Sequence, residues 1–113
     1  MNCAINKKID FYYENKNVTP SWFGLPIKIL IEEKKYKSNV IKNLEINGIE
    51  TRPIISGNFA NQPAAKKYKL SNKQGFPNTD LVYDNSFFIG LPSKIINNQY
   101  LKKIISCFEK SFK

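Results

Sequence analysis

The chain has 113 residues and a formal net charge of +9, with 18 basic residues against 9 acidic ones. Its 42% apolar and 13% aromatic content is enough for one small packed domain and argues against global disorder, and it has no apolar run of the length that crosses a bilayer. Histidine is absent, which removes the commonest metal ligand and acid–base catalyst, so we expect neither a metal site nor a catalytic residue here.

Residues 1–19 are predicted as a polar lead-in segment, with Phe11, Tyr12 and Tyr13 embedded in it. The first residues lack the apolar stretch of a secretory signal. Cys3 and Cys107 lie near opposite ends of the chain without CxxC spacing. We therefore expect a cytoplasmic protein with two unreactive thiols, and a disulfide between them is the alternative.

A strand with one buried face is predicted from Phe23, because every odd position through Ile31 is apolar. Lys28 and Glu32 have the other parity. Pro26 cannot donate a ladder hydrogen bond, so the strand should begin at a sheet edge or carry a bulge there.

A helix follows, with Ser38 as its predicted N-cap and the pair Asn47-Gly48 as its end. Three apolar residues at helical spacing define its buried face: Val40, Ile41 and Leu44.

Residues 48–63, GIETRPIISGNFANQP, predict a second extended segment over 49–55 that leads into a polar loop. This stretch contains Arg52 in a chain whose other basic residues are all lysine. A guanidinium offers a planar fork of donors that an ammonium lacks, so Arg52 is a candidate binding residue on a loop. The alternative is a strand-to-loop connection with Arg52 in a surface salt bridge.

Two short helices are predicted next, one over 61–69 and one that begins in the turn FPNTD, 76–80, and ends at about Asn85. Thr79 or Asp80 would cap the second. Asp80 and Asp84 would share one helix face, where paired carboxylates can do acid–base chemistry. A solvated pair is the simpler interpretation.

The run 87–89, Phe-Phe-Ile, predicts a third strand that ends at Gly90 and Pro92. Asn97 is the predicted N-cap of a final amphipathic helix. Its apolar face contains Leu101, Ile104, Ile105, Phe108 and Phe112. These elements predict an α/β (α+β) domain, with a small three-stranded sheet and helices on one side.

The lysines are spread along the chain in short pairs and are not interleaved with aromatic residues. This pattern favours a solvated basic surface over a nucleic-acid interface, although a polyanion partner stays an alternative. The sequence has no glycine-rich phosphate loop and no serine with a histidine to activate it. From these residues alone, the chain is a binding or accessory domain.

Four blocks resemble the C-terminal part of the DegT/DnrJ/StrS-type nucleotide-sugar aminotransferases, nearest to the CDP-4-keto-6-deoxyglucose 3-dehydrase branch. The blocks are PSWFGLPI (20–27), GIETRPIISGNFANQP (48–63), FPNTD (76–80) and FFIGLP (87–92), in the family's order and spacing. The resemblance implies a dimeric fold-type I enzyme that depends on pyridoxal phosphate (PLP). Such an enzyme acts on a nucleotide-linked keto sugar in lipopolysaccharide or O-antigen biosynthesis.

The resemblance also implies that residues 20–113 are the small C-terminal domain, detached from the large domain that carries the cofactor. The family's cofactor lysine, or the histidine that replaces it in the dehydrase branch, has no match here. We therefore expect that this chain alone binds no PLP and is inactive, and that a separately encoded large PLP domain is its partner. The alternative is a stand-alone basic binding protein for a nucleotide sugar or a nucleic acid.

The matched motif implies a substrate-binding loop. Arg52 would anchor a carboxylate or phosphate oxygen, or brace the loop. Asn58 and Gln62 would bond sugar hydroxyls, and Phe59 would pack on the sugar or the nucleotide. Structural alternatives are a salt bridge within the domain for Arg52 and a turn position with positive φ for Asn58.

The resemblance assigns supporting roles to four further residues. Pro53 and Gly57 would shape the loop, while Ser21 and Trp22 would face the large domain. A domain without its partner is expected to expose part of its apolar surface and to self-associate. The candidates for that exposed surface are Trp22, Phe23 and Phe87.

Overall fold

The computed structural model describes residues 7–13, 15–33, 35–68 and 74–112. The strands are β1 (Ile9–Phe11), β2 (Gly24–Ile29), β3 (Thr51–Pro53) and β4 (Ser86–Gly90). The α-helices are α1 (Tyr36–Ile46), α2 (Pro63–Lys67), α3 (Pro77–Asn85) and α4 (Asn98–Ser111), and a 3₁₀ turn covers Phe59–Asn61. The predictions for Cys3 and Lys69 lie outside the described residues. Within the described ranges, no helix combines the length and the apolar character that crossing a bilayer requires.

The described strands form one antiparallel sheet in the order β1-β2-β4-β3. The predicted class of mixed helix and sheet is confirmed, but the count of three strands is wrong. The additional strand, β1, lies in the predicted lead-in segment and pairs Ile9 with Ile29 and Phe11 with Ile27. Three residues are too few to show an alternating pattern, so β1 is recognisable only from its partner.

Pro26 lies in a central strand, yet at a position where β2 has one neighbour. The β1–β2 pairing ends at Phe11 and Ile27, and β2 continues against β4 alone. The N–H of Leu30 donates to the carbonyl of Lys8 at 2.8 Å, so the next donor of the alternating ladder is Lys28 and the one after it would be Pro26. Proline has none, and the β1–β2 ladder therefore stops before it.

Helices α1 and α4 cover one face of the sheet and contact each other. The sheet contributes Ile27 and Ile29 from β2 and Phe87 and Ile89 from β4, all buried. For Ile27 and Ile29 this confirms the predicted inward parity, whereas Phe23, the first residue of the predicted buried face, precedes β2 and is exposed. Ile9 adds the contribution of β1. The helices supply the rest of the core: Val40, Leu44, Phe108 and Phe112.

The opposite face of the sheet carries Phe88, which is 7% exposed and lies outside that core cluster. Its ring packs over Gly24, where an added Cβ would lie 2.5 Å from Phe88 Cδ2. Phe23 packs edge-on against it at 5.4 Å. Phe23 and Trp22 are 69% and 44% exposed, as expected, whereas the expectation for Phe87 is wrong because it points into the core.

Helix α1 begins earlier than predicted, with Lys35 as N-cap and no side-chain capping bond. Ser38 therefore lies inside the first turn, and its predicted role as N-cap is wrong. The predicted end is confirmed, because Gly48 has φ +82°. The N–H of Gly48 donates to Glu45 and that of Ile49 to Leu44, which is the hydrogen-bond pair of a Schellman motif.

The two later helices differ in how well their starts were predicted. Asn97 caps α4, since its Oδ1 accepts the N–H of Tyr100 at 2.8 Å. Helix α3 instead begins at Pro77, the residue type favoured at the first helical position, so neither Thr79 nor Asp80 is its N-cap.

Only the C-terminal half of the apolar face of α4 reaches the core. Phe108 and Phe112 are buried, whereas Leu101 and Ile105 are 41% and 38% exposed. The helix has 14 residues and is about 21 Å long, while the five-residue strand β4 spans about 17 Å. The helix is therefore longer than the strand.

Two lysines bond backbone carbonyls at helix ends. Lys8 Nζ donates to the carbonyl of Phe112, the C-cap of α4, at 2.6 Å. Lys37 Nζ, from α1, donates to the carbonyl of Tyr83 in the last turn of α3 at 2.7 Å, and α3 has no basic residue of its own in that turn. A cation at a helix C-terminus complements the helix dipole, so part of the lysine content is structural.

The close packing of Phe88 on Gly24 predicts that Gly24→Ala destabilises the fold. The new Cβ would meet the ring and the carbonyl oxygen of Ile89 at 3.2 Å, so we expect a loss of about 1–3 kcal/mol in the free energy of unfolding. Urea denaturation measures it. The control is Gly90→Ala at the paired position, where an added Cβ meets nothing within 4 Å. Equal losses in both variants would contradict this packing.

Burial lowers the pKa of Lys37 below its usual 10.5, against an opposing effect of Asp84, which raises it. Over the pH range between the folded and unfolded pKa values, the unfolded chain binds more protons, so the Lys37 contribution makes folding more favourable as pH rises. We expect the free energy of unfolding of the wild type to gain this contribution as pH rises. Lys37→Met and Lys37→Arg should lack it, because methionine has no proton to lose and arginine keeps its proton. Chemical denaturation at a series of pH values up to 10.5 tests it. Parallel profiles for all three proteins would refute the assignment.

Candidate functional site

A concavity of about 900 Å³ lies at the end of the sheet where β4 leaves it. Phe88 and Leu91 lie on one side, Arg52 and Pro53 of the edge strand β3 on another, and Tyr100 of α4 extends the wall. The remaining lining residues are Phe23, Gly48, Ile49, Glu50, Ile55, Ile89, Gly90, Pro92 and Ile104. A mainly apolar wall with one or two polar groups is typical of small-molecule sites.

Arg52 reaches this concavity because of its register in the sheet. It pairs with Phe88, so its side chain lies on the face opposite the helices. The guanidinium is largely exposed and donates to Glu50 Oε1 from Nε at 3.1 Å and from Nη2 at 2.7 Å. The salt bridge that was the alternative interpretation of Arg52 is thus present. The guanidinium also borders a cavity large enough for a ligand, so its binding role stays a prediction.

Asn58 is engaged inside the loop. It is 4% exposed, its Oδ1 accepts the N–H of Ala60 at 2.9 Å, and its Nδ2 donates to Asp80 Oδ1 at 2.5 Å. Its φ is −94°, and the positive values belong to Ser56 and Gly57, at 64° and 52°. The alternative that Asn58 has a positive φ is therefore wrong. The side chain connects the loop to α3.

The other predicted loop residues have different surroundings. Gly57 lies under the ring of Tyr83, where a Cβ would be 2.0 Å from Cδ2, so a side chain is excluded. Phe59 is 48% exposed. Gln62 is exposed, and its Nε2 lies 3.5 Å from the carbonyl oxygen of Ser56. Neither Phe59 nor Gln62 lines the concavity, so the structure separates them from Arg52.

The predicted junction residues, Ser21 and Trp22, are both exposed and directly precede Phe23 at the concavity. Most of the lining residues were not predicted as site residues, among them Glu50, Phe88 and Tyr100. Phe88 has the opposite parity to the core residues of β4, and Glu50 stands two positions before Arg52 in the segment 49–55 that was predicted to be extended. These two spacings indicate that Phe88, Glu50 and Arg52 share the outer face of the sheet. No local pattern indicates that Tyr100 belongs to the site.

Asp80 and Asp84 do not form one acidic site. Asp80 Oδ1 accepts from Asn58 and, at 3.4 Å, from Asn61. Asp84 borders a separate cavity of about 320 Å³ together with Lys37. Within the described ranges, no group of three or more His, Cys, Asp or Glu side chains is arranged to hold a metal ion.

No protein-family model matches the chain. Among curated proteins, the lipopolysaccharide biosynthesis protein RfbH of Salmonella typhimurium is 32% identical over 82% of this chain and 21% of its own length. A dTDP-4-dehydro-2,6-dideoxy-D-glucose 3-dehydratase of Saccharopolyspora spinosa is 31% identical over 64% of this chain and 16% of its own. The chain thus spans about a fifth of the length of these relatives.

Solved structures match most of the chain. GDP-4-keto-6-deoxy-D-mannose 3-dehydratase of E. coli, solved with bound hydrated PLP, superposes with a TM-score of 0.74 and 25% identity. The match covers 95% of this chain and 26% of that one. A mutant of GDP-4-keto-6-deoxymannose 3-dehydratase with bound GDP-perosamine matches with the same TM-score, identity and coverage.

The buried contacts of Asn58 predict that Asn58→Ala destabilises the loop and its attachment to α3. It removes a capping acceptor and a bond to a carboxylate, so we expect a loss of about 1–3 kcal/mol in unfolding free energy. The control is Asn61→Ala, an exposed residue with a longer contact to the same carboxylate, for which we expect less than about 0.5 kcal/mol. Thermal or urea unfolding of both variants measures this. If the two variants have the same stability, the loop does not depend on Asn58.

Proposed function

The chain is homologous to part of the nucleotide-sugar 3-dehydratases within the DegT/DnrJ/StrS family, and we propose that it serves as the small C-terminal domain of such a PLP-dependent enzyme. In this role it contributes to recognition of a nucleotide sugar in lipopolysaccharide or O-antigen biosynthesis. The observation that carries the proposal is the superposition of 95% of this chain on 26% of a dehydratase. The domain occupies residues 20–113, with β1 added to its sheet from the segment before it.

The concavity supports a nucleotide-sugar ligand. Its volume of about 900 Å³ suits a molecule of that size, and its wall has both a cation and aromatic rings. Arg52 would bind a diphosphate or carboxylate oxygen with its planar fork. Phe23 and Tyr100, which are 69% and 53% exposed, would pack on a base or a sugar. The relatives' names and bound molecules point to the same ligand class.

The loop residues divide into two roles under this proposal. Phe59 and Gln62 are exposed and available to a sugar when a second domain closes over the loop. Asn58 would have to give up its bonds to Ala60 and Asp80 before it could bond a sugar hydroxyl. We therefore assign Asn58 to holding the loop in shape, together with Pro53 and Gly57.

We assign PLP to a large domain outside these residues. A lysine that bonds the cofactor must present a free, uncharged Nζ. Burial lowers the pKa of Lys37, as such chemistry requires, yet its Nζ donates to the carbonyl of Tyr83 at 2.7 Å. The surroundings of Lys37 therefore do not fit the cofactor. The exposed Trp22 next to the concavity is a suitable contact for the large domain, and without it we expect self-association.

A second candidate is a stand-alone protein that binds a nucleotide sugar without chemistry. The observation that favours it is that Arg52 and the aromatic wall belong to one concavity within this chain. A nucleic-acid partner has no comparable support, since the described lysines include two that bond helix ends. A cytoplasmic location stays a prediction.

The proposal predicts that this chain restores activity to a dehydratase from which the matching segment has been deleted. With RfbH shortened in this way, we expect PLP-dependent turnover of a keto-deoxy nucleotide sugar only in the mixture. Arg52→Lys should lower kcat/KM about ten-fold or more, because an ammonium cannot copy the planar fork.

The matched control is Lys103→Arg, a conservative change at an exposed position of α4, for which turnover should not change. Unchanged turnover with Arg52→Lys would remove the binding role of Arg52. A new visible absorbance band when PLP is added to this chain alone would contradict the assignment of the cofactor to another domain.

A further inference from the structure

One of the edges with which the Arg52 guanidinium can bind an anion is already occupied. Glu50 Oε1 accepts from both Nε and Nη2, at 3.1 and 2.7 Å. Those two N–H groups point the same way and form one of the forks with which arginine holds a carboxylate or phosphate. A ligand anion that uses this fork must replace the carboxylate of Glu50.

Within the described part of the chain, the concavity has no second positive charge to offset the negative charge of Glu50. Among the described residues that line it, Arg52 and Glu50 are the two with ionised side chains. An approaching anion therefore meets a neutralised pair, and Glu50 competes with it directly for the same donors. The affinity of the anion for the site therefore depends on displacing Glu50 as well as on binding Arg52.

The Arg52–Glu50 ion pair can separate at little cost in stability. The side chains of Arg52 and Glu50 are 62% and 75% exposed, and an exposed ion pair contributes little to stability. Glu50 precedes β3, so its side chain can turn away without breaking a hydrogen bond of the sheet. Arg52 itself is held by its pairing with Phe88 and stays at the concavity.

We infer that Glu50 is a displaceable internal anion that holds the Arg52 fork in place until the diphosphate of a nucleotide sugar replaces it. This role rests on the proposed function, because it names the group with which the ligand competes. Glu50 is then a positioning residue: it pre-orients the guanidinium, and it weakens binding of every anion by the free energy of the pair.

The chain's single arginine makes the exchange directly observable. Its Nε–H resonance in a ¹H–¹⁵N spectrum reports on Arg52 alone, so titration with inorganic pyrophosphate at low ionic strength follows the replacement of Glu50. Glu50→Gln should bind pyrophosphate about two- to five-fold more tightly than wild type, the range set by an exposed ion pair. Its Nε–H resonance without pyrophosphate should also shift, because the acceptor of the Nε–H then no longer carries a negative charge.

The matched control is Glu45→Gln. Glu45 carries the same charge close to β3, where its Oε1 accepts from Thr51 Oγ1 at 2.9 Å, but it does not bond Arg52. We expect a smaller gain in affinity and no shift of the Nε–H resonance. In the double variant Arg52→Gln with Glu50→Gln, the gain from Glu50→Gln should disappear.

The outcomes separate the two proposals. Equal gains from Glu50→Gln and Glu45→Gln, or a gain that persists without Arg52, would overturn the displacement and leave the ligand role of Arg52 intact. Pyrophosphate affinity that is unchanged by Arg52→Gln would overturn the binding role of Arg52 itself. If pyrophosphate binds to none of these proteins, both proposals fail.

Discussion

Strand β4 is buried on both of its faces, and the arrangement of the other elements follows from this constraint. Phe87 and Ile89 point into the core under α1 and α4, while Phe88 lies on the opposite face against Gly24 and Phe23. A side chain at position 24 would occupy the space of the Phe88 ring. Since β4 also pairs with β2 and β3 at the same time, its register determines which face each neighbouring residue takes. Arg52 reaches the concavity because it pairs with Phe88 and not with Phe87.

The basic composition has a partly structural explanation. Lys8 and Lys37 bond carbonyl groups at the ends of α4 and α3, two helices that begin and end far from these lysines in the chain. A cation at a helix C-terminus stabilises carbonyls that have no partner within the helix. Arg52 is different, because its partner Glu50 is exposed and only two residues away. The contrast separates lysines that bond helix ends from an arginine whose exposed ion pair is the one we propose a ligand replaces.

In the proposed enzyme, this small domain supplies binding groups and a larger domain supplies the cofactor chemistry. The concavity combines aromatic surface with one guanidinium, a combination that under this proposal would bind and orient a nucleotide sugar but would move no proton by itself. The segment matched here is 21% of one relative and 26% of another, and the latter was solved with PLP. Binding groups on a small domain and cofactor chemistry on a larger one would meet only when the two are in contact. The exposed Trp22 and Phe23 lie where such a contact would cover apolar surface.

Several features of this protein were determined by short stretches of its sequence. The alternation in β2, the strand around Phe88, the Asn97 cap and the Asn47-Gly48 helix end each depend on residues within one or two turns, so local patterns predicted them. The family resemblance came from motifs of the same kind. Tertiary structure alone decided the rest: β1 is too short to be recognised without β2, Asn58 acquires its role from Asp80, and Tyr100 joins Arg52 at one concavity only after α4 packs on the sheet. These contacts connect residues that are 16 to 48 positions apart, and their partners are specified by packing and register, which no local window of sequence contains.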